Sequence, residues 1–282
     1  MNVVLQNKEL TAIINTKGAE LISLKKNTKE FIWEGDSKFW DKHSPILFPI
    51  VGTLKNGQYQ HANTKYELSR HGFARDNVFQ IDETLQNKAV FSFSSSEETT
   101  KQYPFDFELK IIYLLGESNL TIQYEVTNKG NSDMPFSIGG HPAFALAGNF
   151  ENYSLLFDND ESITCYSLED NLLSEHTTVL KLTDGKLPLN YSLFENDALI
   201  IKKHKSKKIQ ILENSKPLLE VLLHDFPNLG IWTKNNAPFI CIEPWHGYSD
   251  TLSSNGNLFE KEGIIILTPK KIFETSFDIK IY

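Results

Sequence analysis

The 282-residue chain has little of what disulfide-rich and membrane proteins need. Its two cysteines, Cys165 and Cys241, lie far apart and form no metal-type spacing, which favours reduced thiols over a disulfide framework. No apolar run approaches the roughly 20 residues of a membrane-spanning helix. The N-terminus also lacks a basic start followed by an apolar segment, so no signal peptide is indicated. We therefore predict a soluble, cytoplasmic protein without a membrane partner.

Positive charge is also scarce. The 28 Lys and Arg residues against 36 Asp and Glu residues leave a formal net charge of −8. This balance argues against nucleic acid as a partner, because phosphate binding depends on basic side chains. Only two of the 28 are arginines, Arg70 and Arg75, and they lie on either side of His71. Arginine offers a rigid fork of five donors that lysine cannot reproduce, so this cluster indicates recognition of a planar or oxyanionic group.

Strong helical periodicity is missing, and period-two alternation takes its place. The alternating segments Phe107–Tyr113 and Leu120–Val126 lie around Gly116–Asn119 and predict a hairpin. Only Ser37–Asp41 and the region near Asn257–Glu260 indicate short helical turns. Many strands at short spacing, without alternating helices, predict an all-β sandwich or barrel. Because no linker or repeat interrupts the pattern, we expect a single domain over residues 1–282.

The run Lys202–Lys208 contains five lysines and one histidine. A solvated turn joining the two strands of a hairpin is the favoured interpretation, and a basic patch for an acidic partner is the alternative.

Three segments place polar residues inside apolar surroundings, and the first is Ser69–Arg75. If this segment is extended, His71, Phe73 and Arg75 point to one face. Gly72 permits a backbone turn that other residues resist. The two arginines favour a functional segment, and a surface loop with incidental charges is the alternative.

The second segment, Phe136–Phe144, has two glycines before His141 and a proline after it. Glycines in a strand pattern often mark a bulge or the close approach of a ligand. Phe144 is a candidate for an apolar surface against a sugar ring or for a core position. A buried histidine satisfied by backbone groups is the alternative for His141.

The third segment, Phe239–Tyr248, contains a strongly apolar strand. Alternation places Phe239, Cys241 and Glu243 on one face, with Glu243 at the strand end. Burial raises the pKa of a carboxyl group, which suits a base that must also act as an acid. A structural glutamate paired with a lysine is the alternative.

Other chemistries fit less well. The sequence has no glycine-rich phosphate loop, no Gly-x-Ser-x-Gly elbow and no His-Glu-x-x-His motif. No two of the eight histidines are spaced for metal binding on one element. His43, His71, His141 and Glu243 could converge only through the fold, so a metal site is weakly supported. We predict no metal and no cofactor.

Taken in this order on an all-β chain, the motifs resemble the galactose mutarotase-like superfamily. The chain is similar in particular to the aldose 1-epimerase family and its LacX-like branch, near the hexose-6-phosphate epimerases. The motifs that carry the resemblance are Phe48–Gly52, Arg70–Arg75, Gly139–Phe144, Asn228–Trp232 and Cys241–Trp245. The resemblance implies a β-supersandwich of mostly antiparallel strands, with a sugar bound across a concave sheet.

The resemblance further implies interconversion of the α and β anomers of an aldose by ring opening, without a cofactor. Glu243 then corresponds to the base and His141 to the acid, while His71 holds the ring oxygen or C1 and Asp197 binds sugar hydroxyls. The expected partner is a small sugar, bound by a monomer or homodimer.

The chain also departs from the family pattern. Pro244 and Trp245 follow the presumed base where mutarotases have Thr-Gln, so the substrate is left open between free and phosphorylated hexoses. Arg75, and less directly Arg70, are candidates for a sugar phosphate or a hydroxyl-rich edge. Trp232 and Trp245 are candidates for stacking on a hexose, or for the core.

The sequence is also compatible with two other functions. One is a non-catalytic carbohydrate-binding or sensing protein on the same fold. The other is a glycoside hydrolase or lyase, which needs a second carboxylate facing the scissile bond, either Asp197 or Asp250.

Overall fold

A computed structural model describes every residue from Met1 to Tyr282. The chain forms 25 strands, which follow one another in three stretches of sequence. The first nine are β1 (Asn2–Gln6), β2 (Leu10–Asn15), β3 (Glu20–Lys26), β4 (Lys29–Glu30), β5 (Ile46–Leu47), β6 (Gln58–His61), β7 (Thr64–Glu67), β8 (Gln80–Thr84) and β9 (Lys88–Ser94). The next eight are β10 (Phe107–Leu115), β11 (Asn119–Asn128), β12 (Met134–Phe136), β13 (Ile138–Gly140), β14 (Ala143–Ala145), β15 (Tyr153–Phe157), β16 (Ser162–Glu169) and β17 (Leu172–Lys181). The last eight are β18 (Lys186–Pro188), β19 (Leu199–Lys202), β20 (Lys208–Glu213), β21 (Lys216–Leu222), β22 (Asn228–Trp232), β23 (Phe239–His246), β24 (Ile265–Leu267) and β25 (Ile272–Ile281).

Helical structure is confined to short pieces. The one α-helix is Glu97–Thr100, and the 3₁₀ turns are Lys55–Gly57, Ala74–Asp76, Phe150–Asn152, Tyr191–Phe194 and Leu258–Glu260. The last of these confirms the predicted turn near Asn257. At the other predicted turn, the Trp40 N–H donates to the carbonyl of Asp36. No helix combines the length and apolar composition that a membrane crossing requires.

Two large antiparallel sheets dominate the architecture. One has nine strands in the order β18-β15-β20-β21-β25-β11-β10-β9-β8. The other has the order β17-β16-β19-β22-β23-β13-β5, with β14 pairing on β23 as its eighth strand. A four-stranded sheet, β1 to β4, and the ribbons β6–β7 and β12–β24 complete the fold.

The core lies between the two large sheets. A single cluster of 64 buried residues includes Ile240 and Ile242 from β23 together with Ile111 from β10 and Tyr124 from β11. Both sheets therefore turn one apolar face inward, which explains the period-two alternation of their sequences. The predicted all-β, mostly antiparallel supersandwich is confirmed.

The hairpin predicted around Gly116–Asn119 is confirmed, with Leu115 opposite Leu120 in the β10–β11 register. The interpretation of Lys202–Lys208 as a hairpin turn was wrong. Strand β19, before the run, belongs to the eight-stranded sheet, whereas β20, after it, belongs to the nine-stranded sheet. The run is thus a crossover between sheets, and its backbone is fixed by acidic side chains: the Ser206 N–H donates to Asp160 and the Lys207 N–H to Asp158.

Candidate active site

Strand β23 supplies the carboxylate at the centre of a cleft in the eight-stranded sheet. As predicted, Ile240 and Ile242 enter the core while Cys241 and Glu243 lie on the opposite face. Glu243 is only 1% exposed. The sequence pattern placed Glu243 at the end of this strand, but strand pairing continues beyond it through Pro244 to His246. The backbone of Glu243 therefore pairs with Gly230 of β22 on one side, while the connection between β13 and β14 lies on the other.

His141 lies in the short connection between β13 and β14, both of which pair with β23. Its backbone N–H donates to the carbonyl of Pro45, which anchors the connection. The imidazole Nε2 lies 3.1 Å from Glu243 Oε2. The ring N–H is not aimed at this oxygen, however, so Glu243 Oε2 and His141 Nδ1 both remain buried without a hydrogen-bond partner in the protein. The two groups are in contact but not locked to each other.

Gly139 in β13 and Gly230 in β22 make room for an aromatic ring and not for a ligand. A Cβ on Gly139 would lie 2.5 Å from Trp245 Cδ1, and one on Gly230 would lie 2.5 Å from Trp245 Cη2. The indole of Trp245 thus lies flat across the two strands that flank β23. It lines the cleft from within a small apolar cluster, and its buried Nε1–H has no partner in the protein.

The segment Ser69–Arg75 is a turn and not an extended strand, so the predicted common face of His71, Phe73 and Arg75 was wrong. His71 has a φ of 68°, Gly72 has a φ of 70°, and a 3₁₀ turn begins at Ala74. These left-handed residues reverse the chain. As a result Phe73 packs in the core, whereas His71 and Arg75 line the cleft.

The backbone of Gly52 sets the protonation of His71. The Gly52 N–H donates to His71 Nδ1 at 3.1 Å, and the His71 N–H donates to the Gly52 carbonyl at 2.8 Å. Arg70 Nε in turn has the geometry to donate to Nε2, at 3.3 Å. A neutral imidazole accepts at only one nitrogen, and the shorter Gly52 contact assigns that role to Nδ1 and the proton to Nε2. With Nε2 protonated, Nε2 and Arg70 Nε are two donors side by side, suited to a shared oxygen acceptor.

Both arginines and Asp197 line the same cleft. Arg70 Nη1 donates to Asn171 Oδ1 at 3.1 Å, and Arg70 Nη2 lies 3.8 Å from Asp197 Oδ2. Arg75 Nη2 donates to the Arg70 carbonyl at 2.7 Å, and this hydrogen bond stabilises the turn that carries Arg70 and His71. Asp197 has a φ of 76° and accepts from the Ala198 N–H, so its carboxylate is held at the rim.

Aromatic rings form the remaining walls of the cleft, whose volume is about 150 Å³. Trp232 lines this cleft, as expected if it stacks on a hexose and not if it belongs to the core. Trp40 was missed: it stacks on His141 with ring centroids 4.7 Å apart and meets Trp232 edge-on at 5.6 Å. The concentration of aromatic residues over positions 31–40 was the available signal. No pattern within that segment predicts a contact between Trp40 and His141.

Three other sequence candidates lie elsewhere. Phe144 is fully buried in the core, because it pairs with Ile240 and shares that residue's inward face, so its proposed sugar contact was wrong. His43 lies against Glu20, outside the cleft lining. Asp250 is 3.0 Å from Lys261 Nζ in a buried ion pair, which removes it as the second carboxylate of a hydrolase.

Burial controls protonation in the cleft. It raises the pKa of Glu243 well above its ordinary value; the positive charge of Arg70 opposes this shift, and the negative charge of Asp197 adds to it. Burial lowers the pKa of His141 to about 3, and the positive charges of Arg70 and Arg75 reinforce the shift. The pKa of His71 is also well below its usual range, mainly through burial and the proximity of His141. Both shifts favour the uncharged form, a protonated carboxyl group on Glu243 beside a neutral imidazole on His141.

Such a site suits proton transfer to and from a small polar molecule. Two of its residues, His141 and Glu243, also lie close to Cys241, which packs in the apolar cluster beside the cleft. Ligating atoms of all three lie within 4.8 Å of one another and all three residues are buried, so this group could hold a metal ion.

The chain matches known proteins over its whole length. A family model described as aldose 1-epimerase matches residues 1–265. Protein LacX of Lactococcus lactis subsp. lactis, in its chromosomal form, is 34% identical over 297 aligned positions that cover 100% of this chain and 99% of the relative.

Solved structures agree with this similarity. A galactose mutarotase related enzyme from Lactobacillus acidophilus superposes with a TM-score of 0.95 at 32% identity, covering 100% of this chain and 97% of its own. A galactose mutarotase-like protein from Lactobacillus casei gives a TM-score of 0.93 at 28% identity, with 100% of both chains covered.

Proposed function

Because the chain belongs to the aldose 1-epimerase family, we propose that it interconverts the α and β anomers of a hexose or hexose phosphate. The observation that supports this most strongly is the His141–Glu243 contact of 3.1 Å, with an unpartnered atom on each residue. Buried polar groups are costly to leave without hydrogen bonds, and a bound sugar would supply those bonds. The family supports an isomerase-type enzyme, and the assignment of individual residues is our own.

In the proposed reaction, the carboxyl proton of Glu243 first passes to His141. The resulting carboxylate removes the proton from the C1 hydroxyl while His141 gives its proton to the ring oxygen, which returns the pair to its starting protonation. The bond between C1 and the ring oxygen breaks, and C1 becomes an aldehyde carbon. Rotation about C1–C2 presents the other face of the aldehyde, and the ring closes as the two proton transfers reverse. One proton enters and one leaves the sugar in each direction, so no co-reactant is consumed.

The shared proton makes this exchange possible at neutral pH. Burial penalises the charged form of each group, so it raises the pKa of Glu243 and lowers the pKa of His141 to about 3. Acid–base catalysis is most effective when the pKa of the catalytic group lies near the operating pH, and burial moves the pKa of Glu243 in that direction. The proton can then reside on either group as the sugar alternates between its ring and open forms.

The donors opposite the pair suit the oxygen that changes during the reaction. His71 Nε2 and Arg70 Nε are 3.3 Å apart, and with the His71 proton on Nε2 both atoms are donors. We assign them to the ring oxygen or to the aldehyde oxygen at C1, where electron density grows as the ring opens. The Gly52 N–H keeps His71 in the donating tautomer throughout.

The remaining groups would hold the rest of the sugar. Trp40 and Trp232 offer aromatic faces to its C–H surfaces. Asp197 and the buried Trp245 Nε1–H are placed for its hydroxyl groups. Arg75 is the proposed contact for a phosphate or for a hydroxyl-rich edge.

A polarimetric panel tests the proposal. Freshly dissolved α-glucose, α-galactose and their 6-phosphates are followed to equilibrium with and without the protein, and calorimetry measures binding of each sugar in parallel. We expect faster mutarotation of at least one sugar. Saturable binding without any acceleration would instead identify a carbohydrate-binding protein and overturn the enzymatic proposal.

A further inference from the structure

The thiol of Cys241 lies beside the reacting pair, although the proposed reaction does not use it. Cys241 is fully buried in β23, two residues before Glu243 and on the same face of the strand. Ligating atoms of His141, Cys241 and Glu243 all lie within 4.8 Å of one another. Within this group, His141 Nδ1 and Glu243 Oε2 have no hydrogen-bond partner in the protein. A thiol, an imidazole and a carboxyl group thus converge with free coordinating capacity.

The chemistry of these donors selects among metals. Thiolate and imidazole favour zinc and related borderline or soft cations, whereas magnesium and calcium prefer oxygen ligands alone. Three protein ligands with a fourth position open to a cleft is a common arrangement for zinc. Ligating atoms around tetrahedral zinc are about 3.3–3.8 Å apart, given metal–ligand distances of about 2.0–2.3 Å. The ligating atoms of His141, Cys241 and Glu243 are up to 4.8 Å apart, so these side chains must rotate modestly towards one another to reach tetrahedral distances.

We propose that His141, Cys241 and Glu243 form a reversible zinc site, whose occupation blocks sugar conversion in this cleft. Cys241 and Glu243 each release a proton on binding, while His141 binds in its neutral form. The two negative charges balance the charge of Zn²⁺, so the buried complex carries no net charge, which avoids the penalty of burying an isolated ion. Because protons are released, zinc binds more weakly as the pH falls.

The inhibitory consequence rests on the proposed function, whereas metal binding itself does not. A zinc-bound Glu243 cannot accept the C1 proton, and the metal occupies the space between the acid and the base. We expect zinc to compete with sugar and to slow mutarotation at saturation by roughly 10²–10⁴-fold, the usual contribution of acid–base catalysis.

Cobalt spectroscopy tests the site without any need for turnover. Co²⁺ replaces Zn²⁺ in such sites, and a thiolate ligand produces a near-ultraviolet charge-transfer absorption. The two cysteines of the chain provide a matched pair of variants, since Cys165 is also buried and free but lies outside the cluster. We expect one equivalent of Co²⁺ to give the thiolate absorption in wild type and in Cys165→Ser, and Zn²⁺ to displace it. Cys241→Ser should lose the absorption, and Mg²⁺ should have no effect.

Several results would overturn the site. These are the absence of a thiolate absorption in wild type, its loss in Cys165→Ser, or its persistence in Cys241→Ser. If Cys241→Ser does not fold, Glu243→Gln serves as the second variant, and it should weaken Zn²⁺ binding at least about tenfold by calorimetry through loss of an anionic ligand. Unchanged Zn²⁺ affinity in that variant contradicts the proposal. A thiolate absorption from a protein that turns over no sugar would leave the zinc site standing and remove only the proposed function.

Discussion

Two buried pairs in this protein have nearly the same separation but opposite surroundings. His141 and Glu243, the cleft pair, are 3.1 Å apart, and Lys261 and Asp250, the buried ion pair, are 3.0 Å apart. In the ion pair every contact is used: Lys261 Nζ also donates to the Tyr248 carbonyl, and Asp250 Oδ2 accepts from the Lys55 N–H. In the cleft pair, one nitrogen and one oxygen have no partner.

The difference shows how to separate groups kept for structure from groups kept for chemistry. The satisfied ion pair fixes the loop after β23, and its Asp250 carboxylate also accepts from the Lys55 N–H in the segment after β5, so the pair holds the fold. An unsatisfied pair lowers stability, because desolvated polar atoms go without hydrogen bonds. We therefore expect substitutions in the cleft pair to cost activity and substitutions in the ion pair to cost stability.

The largest effect is expected for Glu243→Gln. Loss of the proton acceptor should slow mutarotation roughly 10²–10⁴-fold. The free energy of unfolding should stay the same or rise, because glutamine has a similar shape and no carboxyl group that must be kept protonated. Polarimetry and thermal unfolding of the same preparation measure both. A variant that is less stable than wild type would remove the contrast between the two pairs.

The next effect is expected for Asp250→Asn, in stability and not in chemistry. Lys261 would keep its charge in a buried position without a counter-ion, which typically lowers the free energy of unfolding by about 3–5 kcal/mol. Denaturant unfolding measures the loss. The matched control is Glu9→Gln, which removes a surface partner of Lys26 at 3.5 Å and should change stability by less than about 1 kcal/mol. Equal losses in both variants would show that burial of the pair is not what matters.

A smaller effect is expected for Arg75→Lys, which keeps the charge but removes the fork. A hydrogen bond to a charged group contributes about 1.5–3 kcal/mol, so KM for the preferred sugar should rise about tenfold or more while kcat changes less. Steady-state kinetics measure the split. Asp76→Asn is the control, since Asp76 is a half-exposed partner of Arg75 outside the cleft lining and should leave KM nearly unchanged. A silent Arg75→Lys variant would mean that the arginine cluster has no role in substrate binding.

The smallest effect is a pH dependence of stability. The pKa of His141 is about 3 in the folded protein and has an ordinary value of 6.5. Because folding lowers it, the neutral imidazole contributes stability above pH 6.5 that is lost as the pH falls towards 3. Between pH 6 and pH 5, wild type should lose up to about 1.4 kcal/mol more than His141→Gln. Parallel slopes in urea titrations at pH 7, 6 and 5 would contradict the buried neutral state.

The sequence predicted the features that depend on local alternation. The β10–β11 hairpin and the shared face of Cys241 and Glu243 follow directly from period-two patterning along one strand. Phe144 was misplaced because a three-residue strand has too little pattern to fix its face, and its pairing with Ile240 decides the matter. Trp40 was missed because its contact with His141 joins residues about 100 positions apart.

Sheet membership was equally beyond the local pattern. The strands on either side of Lys202–Lys208 have the sequence of a hairpin, yet each pairs in a different large sheet. The exposed hairpin β16–β17 was only partly recognisable, since many residues of β17 face solvent and give no apolar alternation. The choice of partner strand depends on the packing of the whole core, which no short segment contains.

The central claim is that the cleft pair carries out proton transfer to and from a sugar. It is tested most directly by two-dimensional proton exchange NMR on an equilibrated mixture of anomers, using the hexose that the polarimetric panel selects. With wild-type protein we predict exchange cross-peaks between the α and β H1 signals, and with Glu243→Gln their disappearance. Cross-peaks that persist unchanged in Glu243→Gln, or exchange no faster with wild type than in buffer, would contradict the account.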